Sequence, residues 1–249
     1  MERPDSRSPE NLAALFKKLG DIRHDFRNKN LYAFLLARLK PGSLLDIGCG
    51  AGHFLHLAQK AGHPITGIEP NEGLIALAEK LYGKLDIRKL AVEDLSAIDE
   101  RYNNITVIDV LEHIEKDEEL LKRLKNLLAA NGRLHILVPC YQHLYGKRDQ
   151  TLGHYRRYEK TDLVSKLRRT GYEVRESRYW NMLGYGPYWF AEKLLKREIS
   201  VALRTQRKKN FVQKSLSRVL DLWFRIVENR LNLGFGLSFY CSASPARVP

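Results

Sequence analysis

An α/β fold, with an open and mostly parallel sheet covered on both faces by helices, is predicted by three observations. Short apolar runs alternate with segments of helical period between Ser43 and Trp180, as repeated βαβ units require. A glycine-rich turn joins the first of these runs to a helix. Acidic residues close the early runs, where a parallel sheet would gather them at its C-terminal edge, the edge at which such sheets bind ligands.

The elements follow in order. Residues 1 to 8 are polar, and Ser8-Pro9-Glu10 reads as a cap with proline in the first turn, opening a helix to about Leu19. Leu31, Phe34, Leu35 and Leu39 recur at helical spacing and predict a second helix over 28–39, which Pro41-Gly42 ends. The pattern then predicts strand 43–47, helix 53–61, strand 65–68, helix 72–81, strands 85–90 and 105–108, helix 117–130 and strand 134–138. Thr161 is read as the cap of a helix that Gly171 ends, with strand 172–180 behind it. The resulting division is a helical cap over 1–40, a sheet core over 41–180, a helical basic insertion over 181–233 and a return to the core over 234–249.

Composition narrows the classes. The chain has 249 residues, 44% of them apolar, which suits one packed domain with appendages and excludes collagen-like or wholly disordered chains. The three cysteines, Cys49, Cys140 and Cys241, are far apart and form no CxxC pair, so neither a disulfide framework nor a structural zinc site is expected. No secretory signal is read at the N-terminus, and no run reaches the ~18 apolar residues of a spanning helix, so a cytoplasmic protein is expected. The net charge of +13 implies an anionic partner. Twelve Lys or Arg against four Asp or Glu fall in residues 187–249, so most of that excess is local.

The most informative segment is Leu44-Leu45-Asp46-Ile47-Gly48-Cys49-Gly50-Ala51-Gly52-His53. Three alternate glycines between a buried strand and a helix suit a ligand that approaches the main chain where Cβ atoms would obstruct it. A dinucleotide fingerprint would need glycine at His53, and no GxxxxGK[ST] phosphate loop occurs. Twenty-three residues beyond Asp46, Gly67-Ile68-Glu69-Pro70 places a carboxylate at the end of the second strand, where it can accept hydrogen bonds from both hydroxyls of a ribose.

With Asp46, Gly48, Gly50 and Gly52 in place, the chain resembles the class I S-adenosylmethionine-dependent methyltransferases, whose first motif runs Asp-x-Gly-x-Gly-x-Gly after a strand. The chemistry agrees, since a sulfonium and an ammonium suit an acidic strand end that would repel phosphate. The resemblance implies a Rossmann-like sheet of seven strands, with S-adenosyl-L-methionine as cofactor and S-adenosyl-L-homocysteine as product. It implies a cofactor set of Asp46, Gly48, Cys49, Gly50, Gly52, Glu69 and Pro70, with Glu93 and Asp94 near the adenine. Asp109, Val110 and His113, from the segment Asp109-Val110-Leu111-Glu112-His113-Ile114, would flank the methionine portion. Asn131-Gly132 matches the turn before the family's fifth strand, and Gly236-Leu237-Ser238-Phe239 its last strand. Glu112 and His113 are otherwise read as orienting their loop and capping a helix. His53 and His56 have no third partner, and no metal ion is expected.

The segment from Tyr145 to Tyr158 contains Leu152-Gly153-His154-Tyr155-Arg156-Arg157-Tyr158 and resembles bacterial methyltransferases associated with glycosyltransferases and polyprenyl-linked saccharides. His24-Asp25-Phe26-Arg27 resembles the N-terminal signature of the same subgroup, with Asp25 interrupting its aromatic pair. Chemically, His154 offers a base and Asp149 a carboxylate to orient it, while Arg156 and Arg157 can capture an anionic group. Arg27, Tyr145 and Tyr158 complete the expected acceptor set. The amphipathic segment over 187–233 is read as a lid. Its basic face, which includes Lys193, Lys196, Arg197, Arg204 and Arg207-Lys208-Lys209, adds contact with an anionic membrane surface as an expectation.

The function expected is methyl transfer to an oxygen or nitrogen of a small-molecule or glycan-type acceptor, including lipid-linked ones. RNA methylation ranks lower, because no RNA-binding module precedes the core. An inactive cofactor-binding scaffold is the rival outside enzymes.

Overall fold

The computed structural model describes residues 25–191 and 211–246. The predicted helix from Glu10 to Leu19, and the basic residues of the insertion from Lys193 to Lys209, lie outside them. Seven strands form one sheet in the order β3-β2-β1-β4-β5-β7-β6. They are β1 (Leu44–Ile47), β2 (Ile65–Ile68), β3 (Ile87–Arg88), β4 (Tyr102–Ile108), β5 (Leu128–Pro139), β6 (Tyr172–Trp180) and β7 (Ser238–Pro245). The first five are parallel, and β7 lies antiparallel between β5 and β6. This is the Rossmann-like sheet that the alternation of elements predicts.

The described helices are α1 (Phe26–Leu36), α2 (His53–Lys60), α3 (Glu72–Tyr82), α4 (Asp117–Asn126), α5 (Lys147–Leu152), α6 (Lys160–Arg169), α7 (Met182–Trp189) and α8 (Phe211–Trp223). β1 and β4 are buried almost throughout, as expected where helices cover both faces. One core cluster gathers Ile47, Ile105, Leu121 and Leu163, while a second joins Leu31, Phe34 and Leu35 of α1 to Leu55, Trp180 and Phe224.

Several boundaries differ from the sequence reading for local reasons. Asp25 is the N-cap of α1, its carboxylate accepting from the backbone N–H of Arg27 and Asn28, so this helix starts two residues earlier than predicted. β3 shrinks to two residues because it is an edge strand paired only through Gly67 and Ile68 of β2. Asn131-Gly132 is no turn. It lies within the twelve-residue β5, opposite a register shift between Tyr102 and Asn104 of β4, and α4 therefore stops at Asn126. Glu159, not Thr161, occupies the N-cap position of α6.

Between β6 and β7 the chain forms α7 and α8, joined to the core by Glu228. This buried carboxylate accepts from the backbone N–H of Asn181 (3.0 Å) and Met182 (2.6 Å) at the start of α7, and from Trp223 Nε1 (3.2 Å). It supplies the anion that a helix N-terminus favours. Asn30 of α1 reaches Asp221 of α8 at 2.7 Å, so the cap helix and the insertion hold each other.

Candidate active site

Chain order in the sheet reverses between β1 and β4, and two cavities open at the C-terminal ends of these strands. Ile108, the last residue of β4, lines the smaller, and Asp109, the next residue, lines the larger.

The smaller cavity, about 190 Å³, sits over the glycine turn and is lined by Tyr32, Asp46, Gly48, Cys49, Gly50 and Phe54, among others. Gly48 has φ +65, and a Cβ there would come within 2.7 Å of Val110 Cγ2. Gly50 has φ +55 and faces the opposite situation, since a Cβ there would meet nothing within 4 Å. The backbone at Gly50 is thus bared toward open space beside the cavity. Gly52 takes the N-cap position of α2. Glu69 is bonded to this turn: Oε2 accepts from Gly50 N at 2.9 Å, and Oε1 from Asn71 N at 3.0 Å. A carboxylate oxygen can accept more than one hydrogen bond. Asp46 accepts from the Thr106 hydroxyl at 2.6 Å. Burial, partly offset by that hydrogen bond, pushes Asp46 up to about 7, and the neighbouring Glu69 carboxylate adds to the rise.

The larger cavity, about 480 Å³, has an apolar wall that includes Phe26, Leu183, Leu220 and Phe224. Its polar side carries Asp109, Glu112, His113, Asp149, His154 and Arg157. Asp149 is fully buried and is the hub of this side. It accepts from His154 Nδ1 (2.8 Å), from Arg157 Nε at both oxygens (2.9 Å each), from Gly146 N (3.0 Å) and from the Tyr188 hydroxyl (3.3 Å). Arg157 also donates to the Tyr188 hydroxyl and to the Cys140 carbonyl. Burial alone would raise Asp149, but the hydrogen bond from His154 and the Arg157 guanidinium hold it down at about 2. An ionised carboxylate only accepts, so His154 Nδ1 carries the proton, and in the neutral ring Nε2 is left as an acceptor. That nitrogen lies 4.0 Å from Glu112 Oε1.

The expected site residues are thus distributed unevenly. Asp46, Gly48, Cys49 and Gly50 line the smaller cavity, Glu69 is off its lining but bonded to Gly50, and Val110 is packed against Gly48. Pro70 is exposed, and Glu93 and Asp94 are exposed on a 3₁₀ turn over 92–97, off the lining of both cavities. Asp109 and His113, expected on the cofactor side, line the larger cavity, as do Arg27, Asp149, His154 and Arg157.

Three of the expected acceptor residues face elsewhere. Tyr158 is fully buried, with its hydroxyl on Asp117 (2.8 Å) and the Leu111 carbonyl (3.2 Å), which makes it a core residue. Arg156 is engaged by Asp117 (2.9 Å) and by the Glu115 carbonyl (2.8 Å). The Tyr145 hydroxyl donates to the His154 carbonyl at 2.7 Å, supporting the segment from outside the cavity lining. In the other direction, sequence reasoning missed Tyr32 and Tyr188, which come from helices and carry no motif. His53 packs edge-on to Tyr82, and His56 stacks on the same ring.

This strand order and this glycine turn are those of a Rossmann-like methyltransferase fold. The chain belongs to the methyltransferase domain family, which it matches over residues 12–177. A ubiquinone biosynthesis O-methyltransferase of Coxiella burnetii is 29% identical over 100 residues, which are 39% of this chain and 43% of that protein. The match thus spans less than half of that relative's length. A SAM-dependent methyltransferase from Archaeoglobus fulgidus superposes with a TM-score of 0.60 at 21% identity, covering 93% of this chain and 98% of that one. The plantazolicin methyltransferase BpumL, solved with a triazolic desmethylPZN analogue and SAH, gives 0.60 at 17% identity, covering 96% and 92%.

Proposed function

We propose that this methyltransferase transfers the sulfonium methyl of S-adenosylmethionine to an oxygen of an amphipathic small-molecule or glycan-type acceptor. The smaller cavity takes the donor. Glu69 accepts from the ribose hydroxyls, the bared backbone at Gly50 lies along the ligand, and Asp46 faces its cationic end. The larger cavity takes the acceptor, with the apolar wall of Phe26, Leu220 and Phe224 against its nonpolar part and His154 at its reacting hydroxyl.

The observation that carries this reading is the Asp149–His154 hydrogen bond, which leaves Nε2 as the free acceptor edge of a ring that belongs to the cavity lining. A group in that state activates a hydroxyl, whereas an amine nucleophile has less need of it. The relative named as an O-methyltransferase adds support for oxygen. Lipid-linked acceptors fit the apolar wall. An anionic membrane surface fits α8, which exposes Phe211, Val212, Leu216 and Val219 beside Lys214 and Arg218. Among the described residues no helix is long and apolar enough to cross a membrane, so this contact would be peripheral.

The test is incubation with S-adenosylmethionine and hydroxylated acceptors with and without a lipid tail, read by mass spectrometry. Methylation of an acceptor hydroxyl, reduced in His154→Ala, is the expected result. Methylation confined to amines would overturn the oxygen reading.

A further inference from the structure

Glu112, His113 and His154 come together at one point of the larger cavity, though a 3₁₀ turn supplies the first two and the segment after α5 the third. One ligand-type atom from each, a carboxylate oxygen and two ring nitrogens, lies within 4.8 Å of the others. The two imidazoles meet edge-on with centroids 4.6 Å apart.

Three features make this more than a cluster. Glu112 is 1% exposed, and its Oε2 has no hydrogen-bond partner, a costly state for a carboxylate taken out of water. His154 donates its Nδ1 proton to Asp149, which fixes the ring and leaves Nε2 able to coordinate. This carboxylate–histidine arrangement is the one that typically orients metal-ligating histidines. Asp109, with the left-handed φ of +51 that a non-glycine residue rarely adopts, lines the same cavity and adds negative charge near Glu112.

We infer that Glu112, His113 and His154 form a binding site for a divalent first-row transition-metal ion, which activates the acceptor. One carboxylate and two imidazoles suit such an ion, and three protein ligands leave coordination positions for water or substrate. The three ligand atoms, within 4.8 Å of one another, would each come to about 2.0–2.2 Å from the ion.

The inference rests on the acceptor-side reading above and assigns the activation to the ion rather than to direct proton removal by Nε2. An acceptor hydroxyl bound to the ion loses its proton to solvent. Its oxygen then forms the new bond to the methyl carbon as the carbon–sulfur bond breaks, and sulfur keeps that electron pair.

The test uses Co²⁺ as a spectroscopic probe on full-length protein stripped with EDTA, alongside calorimetry with S-adenosylhomocysteine. One equivalent of Co²⁺ should bind and develop visible ligand-field bands. Glu112→Gln and His113→Ala should each weaken binding by at least tenfold, and His63→Ala, off the lining of both cavities, should leave it unchanged. Retained S-adenosylhomocysteine binding in each variant confirms the fold. Absence of stoichiometric Co²⁺ binding to the wild type, or binding unaltered in both Glu112→Gln and His113→Ala, would overturn the metal site. Loss of S-adenosylhomocysteine binding by the wild type would instead overturn the donor-site reading.

Discussion

Asp149 Oδ1 stands 2.8 Å from His154 Nδ1, and this one contact decides which ring nitrogen carries the proton and which is left as an acceptor. Because the same carboxylate also holds Arg157 and Gly146, the ring is oriented by a network fixed on three sides. His154→Ala should therefore keep cofactor affinity and lower turnover by ~100-fold or more, the usual contribution of a positioned acid–base group. Asp149→Asn should also lower kcat, with a smaller change in KM, since the ring loses its fixed tautomer while the cavity walls remain. Steady-state kinetics on a competent acceptor checks both, and full turnover in His154→Ala would make the residue structural.

Gly50→Val places a side chain in the open space beside the donor cavity, where nothing of the protein lies within 4 Å of the added Cβ. Positive φ adds a backbone cost of about 1–2 kcal/mol. Calorimetry should show loss of S-adenosylhomocysteine binding, with circular dichroism unchanged and a melting temperature only a few degrees lower. Normal binding by a folded Gly50→Val would displace the donor site from this turn.

Asp46 predicts a pH dependence of donor binding. Its pKa is raised to about 7 in the free protein, and a bound cation favours the ionised form and lowers it. Protons are thus released on binding, so affinity for S-adenosylmethionine should rise as pH increases toward 7 and level off above it. S-adenosylhomocysteine, which lacks the sulfonium charge, should show a weaker dependence. Asp46→Asn should flatten the profile measured by calorimetry between pH 5.5 and 8.5, values chosen to bracket the shifted group. An unchanged profile in that variant would assign the dependence to another residue.

Arg156→Ala should be a stability variant. The guanidinium is spent on Asp117 and the Glu115 carbonyl, so its removal should cost about 1–2 kcal/mol and leave the acceptor KM unchanged. Denaturant unfolding and kinetics together check this, and a tenfold rise in KM without destabilisation would return Arg156 to the acceptor site.

Contact of α8 with an anionic surface should appear as vesicle co-sedimentation that falls steeply with salt, because exposed charges are screened beyond ~8 Å at physiological ionic strength. Equal partitioning onto neutral and anionic vesicles would remove the electrostatic contribution.

What was legible in the sequence follows the range of the interactions. The glycine turn and the acid after β2 are local patterns dictated by backbone geometry, and Asp149 and His154 are five residues apart, one in α5 and one just after it, so all three could be read directly. The edge strand β3 could not, because its length depends on what its neighbour offers. Nor could the bulge at Asn131-Gly132, whose turn-like composition is overridden by pairing with β4. Arg156 and Tyr158 resemble ligand-binding residues in isolation, yet Asp117 on α4 engages both. The convergence of Glu112 and His113 on His154 is a tertiary fact with no spacing to announce it.

The position of β7 bears on biosynthesis. β6 is made before β7 but pairs, among the described residues, only with it, and β7 also contributes Ser238 to the wall of the larger cavity. The ribosome therefore delivers the glycine turn, Glu69 and the five parallel strands while the sheet's far edge still has no neighbour to join. The elements around the smaller cavity are thus available to assemble during translation. The wall of the larger cavity must wait for β7, so a chain halted before Ser238 would leave β6 without a partner among the described residues and that cavity unfinished.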